Sequence, residues 1–196
     1  MTRTANPRGA GSRLREELLD AATRLLDAGG RDAALTLRGV AREAGVAAPS
    51  VYPHFADLDA LVLGLIRRHL ADLSAVVRSA VQEATTGEEA LRRAGHAYVR
   101  WGLERPGPYT VVFEGRALRQ LSRDEELALA AGDDLLEDLL ALLRGLPHPP
   151  PDPARAAFAV WSGLHGVVSL RTAKPAYPWP SLEDHVDAVL DPHLGR

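Results

Sequence analysis

The chain has 196 residues, enough for one or two compact domains, and its 46% apolar content excludes wholesale disorder. It contains no cysteine, so disulfide frameworks, thiolate nucleophiles and cysteine-bound zinc or iron–sulfur centres are excluded. A formal net charge of −3 divides unevenly, +2 up to His54 and −5 beyond it, which makes a slightly basic head on an acidic body.

Residues 1–11 read as a flexible basic arm. The first fifteen residues are rich in Arg and Gly and lack the apolar centre of a signal peptide. No stretch approaches the ~20 apolar residues of a membrane span. A cytoplasmic protein with no membrane partner is expected.

The first helix is marked by Leu14, Leu18, Ala22 and Leu25 at helical spacing and stops at Gly29-Gly30. Thr36 is placed to cap a short helix whose apolar face is Leu37, Val40, Ala41 and Ala44, and Gly45 ends it. A second short helix is expected from about Ala48 to Phe55. Asp57 then starts a long connecting helix, residues 57–84, with Leu58, Leu61, Leu65, Ile66, Leu73 and Val77 inward.

Further helices are expected over about 88–104, 109–121, 124–146, 154–174 and 182–190. Thr86-Gly87, Pro106-Gly107-Pro108, the proline run 147–153 and Pro175–Pro180 divide them. No alternating pattern is long enough for a sheet. The fold class is all-α, with a helix-turn-helix domain at 12–56 and a larger helical domain at 57–196.

The string Leu35-Thr36-Leu37-Arg38-Gly39-Val40-Ala41-Arg42-Glu43-Ala44-Gly45-Val46, followed by Val51-Tyr52-Pro53-His54-Phe55-Ala56-Asp57, resembles the DNA-binding domain of the tetracycline-repressor (TetR) family. The likeness covers about residues 12–65. It implies that a double-stranded DNA operator is the partner and that Thr36, Arg38, Ala48, Pro49, Ser50, Tyr52 and His54 contact it. The chemistry agrees. Arg38 in the first turn of its helix can reach phosphate or the O6/N7 edge of guanine. Ala48, Pro49 and Ser50 present small surfaces to the groove, suited to thymine methyls and one hydroxyl bond. Tyr52 and His54 carry phosphate-directed O–H and N–H groups. The plainer readings stay open: Tyr52 can merely pack, His54 can be a core or capping histidine, and Ser50 can be solvated.

Three residues depart from the family pattern. Pro53 lies inside the expected recognition helix, where proline forfeits a backbone bond at a cost of ~3 kcal/mol. Ala47 replaces the usual Ser/Thr cap. Leu58 stands where the family commonly has lysine. Arg3, Arg8 and Arg13 of the arm can compensate for a lost phosphate contact.

In the larger domain, Trp161-Ser162-Gly163-Leu164-His165-Gly166 resembles the Trp-His-Gly signature of one C-terminal subclass of the family, which implies sensing of a small-molecule effector and dimerisation. Trp101, Tyr109, Phe113, Arg116, Trp161 and His165 are the candidates for effector contact, with ordinary core, surface or interface roles the alternative for each. Gly163 and Gly166 invite close approach of another helix. The Leu-rich segment Leu135–Leu143 is apolar over more than one face, so a homodimer through these two helices is expected, an intramolecular core being the alternative.

No phosphate-cradling glycine loop, His-Glu-x-x-His pair or Gly-x-Ser-x-Gly elbow is present. The seven histidines offer no i, i+3 or i+4 pair to clamp a metal. The expectation is a ligand-released repressor rather than an enzyme, with no cofactor, metal site or catalytic residue. The alternative is a helical protein–protein adaptor whose helix-turn-helix no longer binds DNA, a reading that Pro53 and Leu58 favour.

Overall fold

The computed structural model describes residues 10–29, 35–114 and 135–194. Among these, all regular structure is helical: α1 (Ala10–Gly29), α2 (Leu37–Glu43), α3 (Leu58–Gln82), α4 (Gly87–Glu104), α5 (Pro106–Phe113), α6 (Leu135–Arg144), α7 (Pro153–Ala173) and α8 (Leu182–Leu190), with 3-10 turns at Ala48–Ser50 and Asp191–His193. The all-α expectation holds. Of the helix expected at 109–121 the described part is α5, which starts earlier and ends at Phe113 with Glu114 as its cap; of that expected at 124–146 it is α6, which ends at Arg144; residues 115–134 lie outside the described residues.

The chain forms two compact units. The first holds α1, α2, the first 3-10 turn, α3 as far as His69, and α5. Its core joins Leu18, Leu19, Ala22 and Leu26 of α1 to Val40 and Ala41 of α2, Val51 and Phe55 of the turn, and Leu61 and Leu65 of α3, with Val111 of α5 packed against it. Pro106 opens α5 at its first position, where a missing N–H costs no helical bond, so the sequence's punctuation serves as a helix start. Gly107 meets the backbone of Leu26, and a Cβ there would collide with the Leu26 carbonyl oxygen. Arg68 pairs with Asp20 across α3 and α1.

The second unit holds the rest of α3, α4, α6, α7 and α8. Leu73, Leu91, Val99, Trp101, Leu143, Val160, Val168, Val186 and Leu190 form its buried interior. The N-terminus of α4 is capped by its own sequence. Thr86 Oγ1 accepts from Glu89 N at 3.1 Å, and the Glu89 carboxylate accepts from Thr85 N–H at 2.9 Å and its hydroxyl at 2.8 Å. The two bonds from Thr85, with Arg93, lower the Glu89 pKa from 4.5 to about 2. Asp152 and Ser181 cap α7 and α8 in the same manner. Arg92 of α4 grips Asp187 of α8 at 2.9 Å and Asp191 of the following 3-10 turn at 2.6 Å, and His96 Nε2 lies 3.0 Å from Asp187.

Gly163 corrects one expectation. A Cβ at this position would lie 2.6 Å from Cγ1 of Val189, so the close approach is made by α8 of the same chain. Around Gly166 a Cβ would meet nothing within 4 Å. The two glycines therefore have unlike surroundings and are not a matched pair at one contact.

Candidate nucleic-acid interface

The interface region begins at Thr36, whose extended backbone (φ −139°, ψ 147°) turns its hydroxyl oxygen onto the helix it precedes and accepts from Gly39 N at 3.0 Å. Thr36 thus caps α2, a local consequence of Ser/Thr chemistry at a free helix end. A Cβ on residue 39 would stand 2.9 Å from the Thr36 Oγ1, so glycine there leaves room for the cap. The other end closes by a paired bond pattern: Val46 N donates to Ala41 O at 2.9 Å and Gly45 N to Arg42 O at 3.1 Å, with Gly45 at φ +70°. Between these ends Val40 and Ala41 are buried while Arg38 and Arg42 are exposed.

The second element departs from the sequence expectation. Ala48–Ser50 is a single 3-10 turn, without a side-chain cap from Ala47. The chain continues through a hydrogen-bonded turn in which His54 N and Phe55 N both donate to Val51 O, at 2.9 and 3.0 Å. Two prolines explain the loss of a regular helix. Pro49 tolerates only the first turn, and Pro53 has no N–H to donate to the carbonyl four residues back. Side-chain direction is nonetheless set by packing. Val51 and Phe55 are buried, and the guanidinium of Arg15 sits 5.0 Å above the Phe55 ring. Arg24 of α1 reaches Glu43 at 2.8 Å, tying α1 to the end of α2.

Thr36, Arg38, Pro49 and Tyr52 are exposed, Tyr52 at 55%, whereas Ala48, Ser50 and His54 are half-buried. Ala48 also packs against the core. Arg38 makes no ion pair or side-chain hydrogen bond with the described residues, so its charge is available to a partner. Ala47, which stands in place of the usual Ser/Thr cap, is exposed, as is Pro49 two residues on, and adds to the apolar surface. Leu58 packs partly against the domain core. Arg13 pairs with Glu17 at 2.9 Å; Arg3 and Arg8 lie outside the described residues.

The six residues proposed for effector contact fall in different surroundings. Trp101 is buried and its indole N–H donates to Asp72 at 2.8 Å. Tyr109 is buried and packs on Phe113 with ring centroids 4.8 Å apart. Trp161 is 37% exposed on α7, where Phe158, three residues earlier, is 54% exposed. His165 Nε2 lies 3.4 Å from Ser169 Oγ on the same helix. Arg116 lies outside the described residues. Among the described residues no three His, Asp or Glu side chains gather as a metal-binding group, and no helix is long and apolar enough to cross a membrane.

Known proteins resemble the chain in both halves. The family model described as bacterial regulatory proteins, tetR family, matches residues 18–65, and that described as tetracyclin repressor-like, C-terminal domain, matches residues 91–194. The TetR family transcriptional regulator PfmR from Thermus thermophilus is 26% identical, with 90% of this chain and 96% of that one covered and a TM-score of 0.68. A protein of unknown function from Rhodococcus sp. RHA1 is 24% identical (92% and 93% covered, TM-score 0.76). The fatty acid degradation regulator FadR from Bacillus halodurans is 22% identical (92% and 97% covered, TM-score 0.70). The last two likenesses bear on the fold alone.

Proposed function

Because the chain belongs to the tetracycline-repressor family of DNA-binding transcriptional regulators, we propose that it is a repressor that grips an operator of two inverted half-sites as a homodimer and lets go when a small apolar effector binds. In this reading residues 12–56 are the DNA-reading head and residues 57–196 the sensing and dimerising body. The observation that carries it is that Arg38 and Tyr52 are exposed, Arg38 without an ion pair among the described residues, while Val40, Ala41, Val51 and Phe55 of the same short segments are turned into the core. Arg38 and Tyr52 grip phosphate or a guanine edge, Thr36 and His54 add phosphate bonds, and Ala48, Pro49 and Ser50 face the bases.

Dimerisation is assigned to α7 and α6. Phe158, Trp161 and His165 follow i, i+3, i+7 spacing along one face of α7, and two large apolar side chains there are exposed. Leu135, Leu136, Leu139 and Leu140 of α6 are only half-buried. Trp161 and His165 therefore go to the subunit contact, while Trp101, Tyr109 and Phe113 remain the aromatic candidates for the effector. A two-fold dimer presents two reading heads one helical turn or a multiple apart, about 34–36 Å per turn, which is why inverted half-sites follow.

The test is selection of bound sequences from random duplex DNA with the full chain. Enrichment of an inverted repeat, with affinity falling steeply as salt rises, is expected. Retention of no DNA at low salt would leave the protein–protein adaptor as the reading.

A further inference from the structure

The reading turn is unusual in what it lacks. From Val46 to Ala56 the sequence contains no Arg, Lys, Asn, Gln, Asp or Glu. The base-edge contacts that discriminate by paired hydrogen bonds need a guanidinium or ammonium on guanine, a carboxamide on adenine, or a carboxylate on cytosine. None can be made from this segment. The exposed surface at its start is Ala47 and Pro49, methyl and methylene only. The first turn's backbone is occupied as well: Ser50 N donates to Ala47 O at 2.9 Å and Val51 N to Ala48 O at 3.2 Å. The arginines of residues 36–56, Arg38 and Arg42, both lie on α2.

One group in the major groove is recognised by such a surface, the C5-methyl of a pyrimidine. We propose that the turn Ala47–Ser50 reads C5-methyl groups, and that it therefore treats 5-methylcytosine as it treats thymine, so that cytosine methylation within a half-site raises affinity. The proposal rests on the DNA-binding reading above and adds to it the chemistry of the specificity. The prolines contribute by stiffness: with φ locked at Pro49 and Pro53, the apolar face is ordered before DNA arrives, and little conformational freedom is lost on docking.

Removing one methyl from a buried apolar contact forfeits roughly a fourfold factor in affinity. The experiment takes the operator recovered by selection and replaces thymine by deoxyuridine, one position at a time, which deletes only the C5-methyl. At one or two positions in each half-site affinity should fall about fourfold. At those positions a C·G pair should bind more weakly than a T·A pair, and 5-methylcytosine should recover about fourfold over cytosine. Pro49→Ala trims the apolar face at an exposed position, and in that variant the deoxyuridine penalty should shrink at one of the same positions. Deoxyuridine duplexes that all bind like their thymine parents, with 5-methylcytosine equal to cytosine, would overturn methyl reading while leaving operator binding intact. If selection enriches no sequence, the regulator reading falls and the proposal falls with it.

Discussion

Truncating Arg38 should separate the proposed recognition from folding. Its side chain is exposed and makes no ion pair or side-chain hydrogen bond with the described residues, so Arg38→Ala removes nothing the fold uses. Alanine is at least as good a helix former as arginine, and removal of a cation from the positive end of α2 is slightly favourable. Stability should stay within about ±0.5 kcal/mol of wild type. DNA binding should fall by about 1–3 kcal/mol, five- to 150-fold, if the guanidinium grips guanine in a bidentate way, with preference relaxed at one base pair per half-site. If it grips phosphate instead, all sequences weaken alike and the salt slope drops by about 1. Tyr52→Phe removes only an exposed hydroxyl, so a phosphate bond worth about 1.5–3 kcal/mol is lost without change of sequence preference. Phe55→Ala is the contrast: it empties a buried ring site, should cost about 3–5 kcal/mol of stability, and should lower melting and binding together. The assay is melting temperature and operator affinity on the same preparations at fixed salt. Arg38→Ala and Tyr52→Phe proteins that melt like wild type and bind DNA unchanged would place the reading surface on the wrong face. Loss of melting temperature in both would make these residues part of the core.

Gly45→Ala forces a Cβ into φ +70° and should destabilise the first unit by about 1–2 kcal/mol, read as a lower urea midpoint with unchanged slope. The depressed pKa of Glu89, about 2 against 4.5 in the unfolded chain, makes its contribution present above pH 4.5 and lost as pH falls towards 2. Glu89→Gln should therefore flatten stability against pH in that window, and a variant with the wild-type acid profile would contradict the capping role. Trp161→Glu places a charge on the proposed subunit contact at an exposed position, so it should weaken association in sedimentation while leaving helix content unchanged; a variant as dimeric as wild type would remove α7 from the interface.

What could be read from the sequence was mostly local. The cap at Thr36 and the stop at Gly45 depend on residues within a few positions and stand where the spacing put them, whereas the stripe of α1 shifts at its end, Leu26 being fully buried where the spacing pointed to Leu25, which is only partly buried. The recognition helix was overestimated because Phe55 keeps helical spacing from Val51 even though Pro49 and Pro53 leave the backbone only a 3-10 turn. Gly163 announced a close neighbour but not its identity; periodicity carries no information on whether Val189 or another subunit fills the gap. For Trp101 the sequence offered effector contact or core, and it gave no sign of Asp72, 29 residues earlier, as acceptor for its indole N–H. Contacts over such separations depend on the tertiary arrangement, which a single sequence does not encode in any short window.

The seating of Gly107 on Leu26 has a consequence for synthesis. The first unit includes chain from Arg105 onward, so its packing is not complete when residue 69 has been made. On the ribosome, α1 and α2 must wait for the 44 residues from 70 to 113 before α5 can close over the end of α1, at about 5–20 residues per second a delay of seconds. For the same reason the first unit, of which the proposed DNA-reading head is a part, is not a cassette. A chimera joined at residue 69 inherits its α5 from the other parent, and it will fold well only if that parent also offers a glycine where Leu26 leaves no room for a side chain.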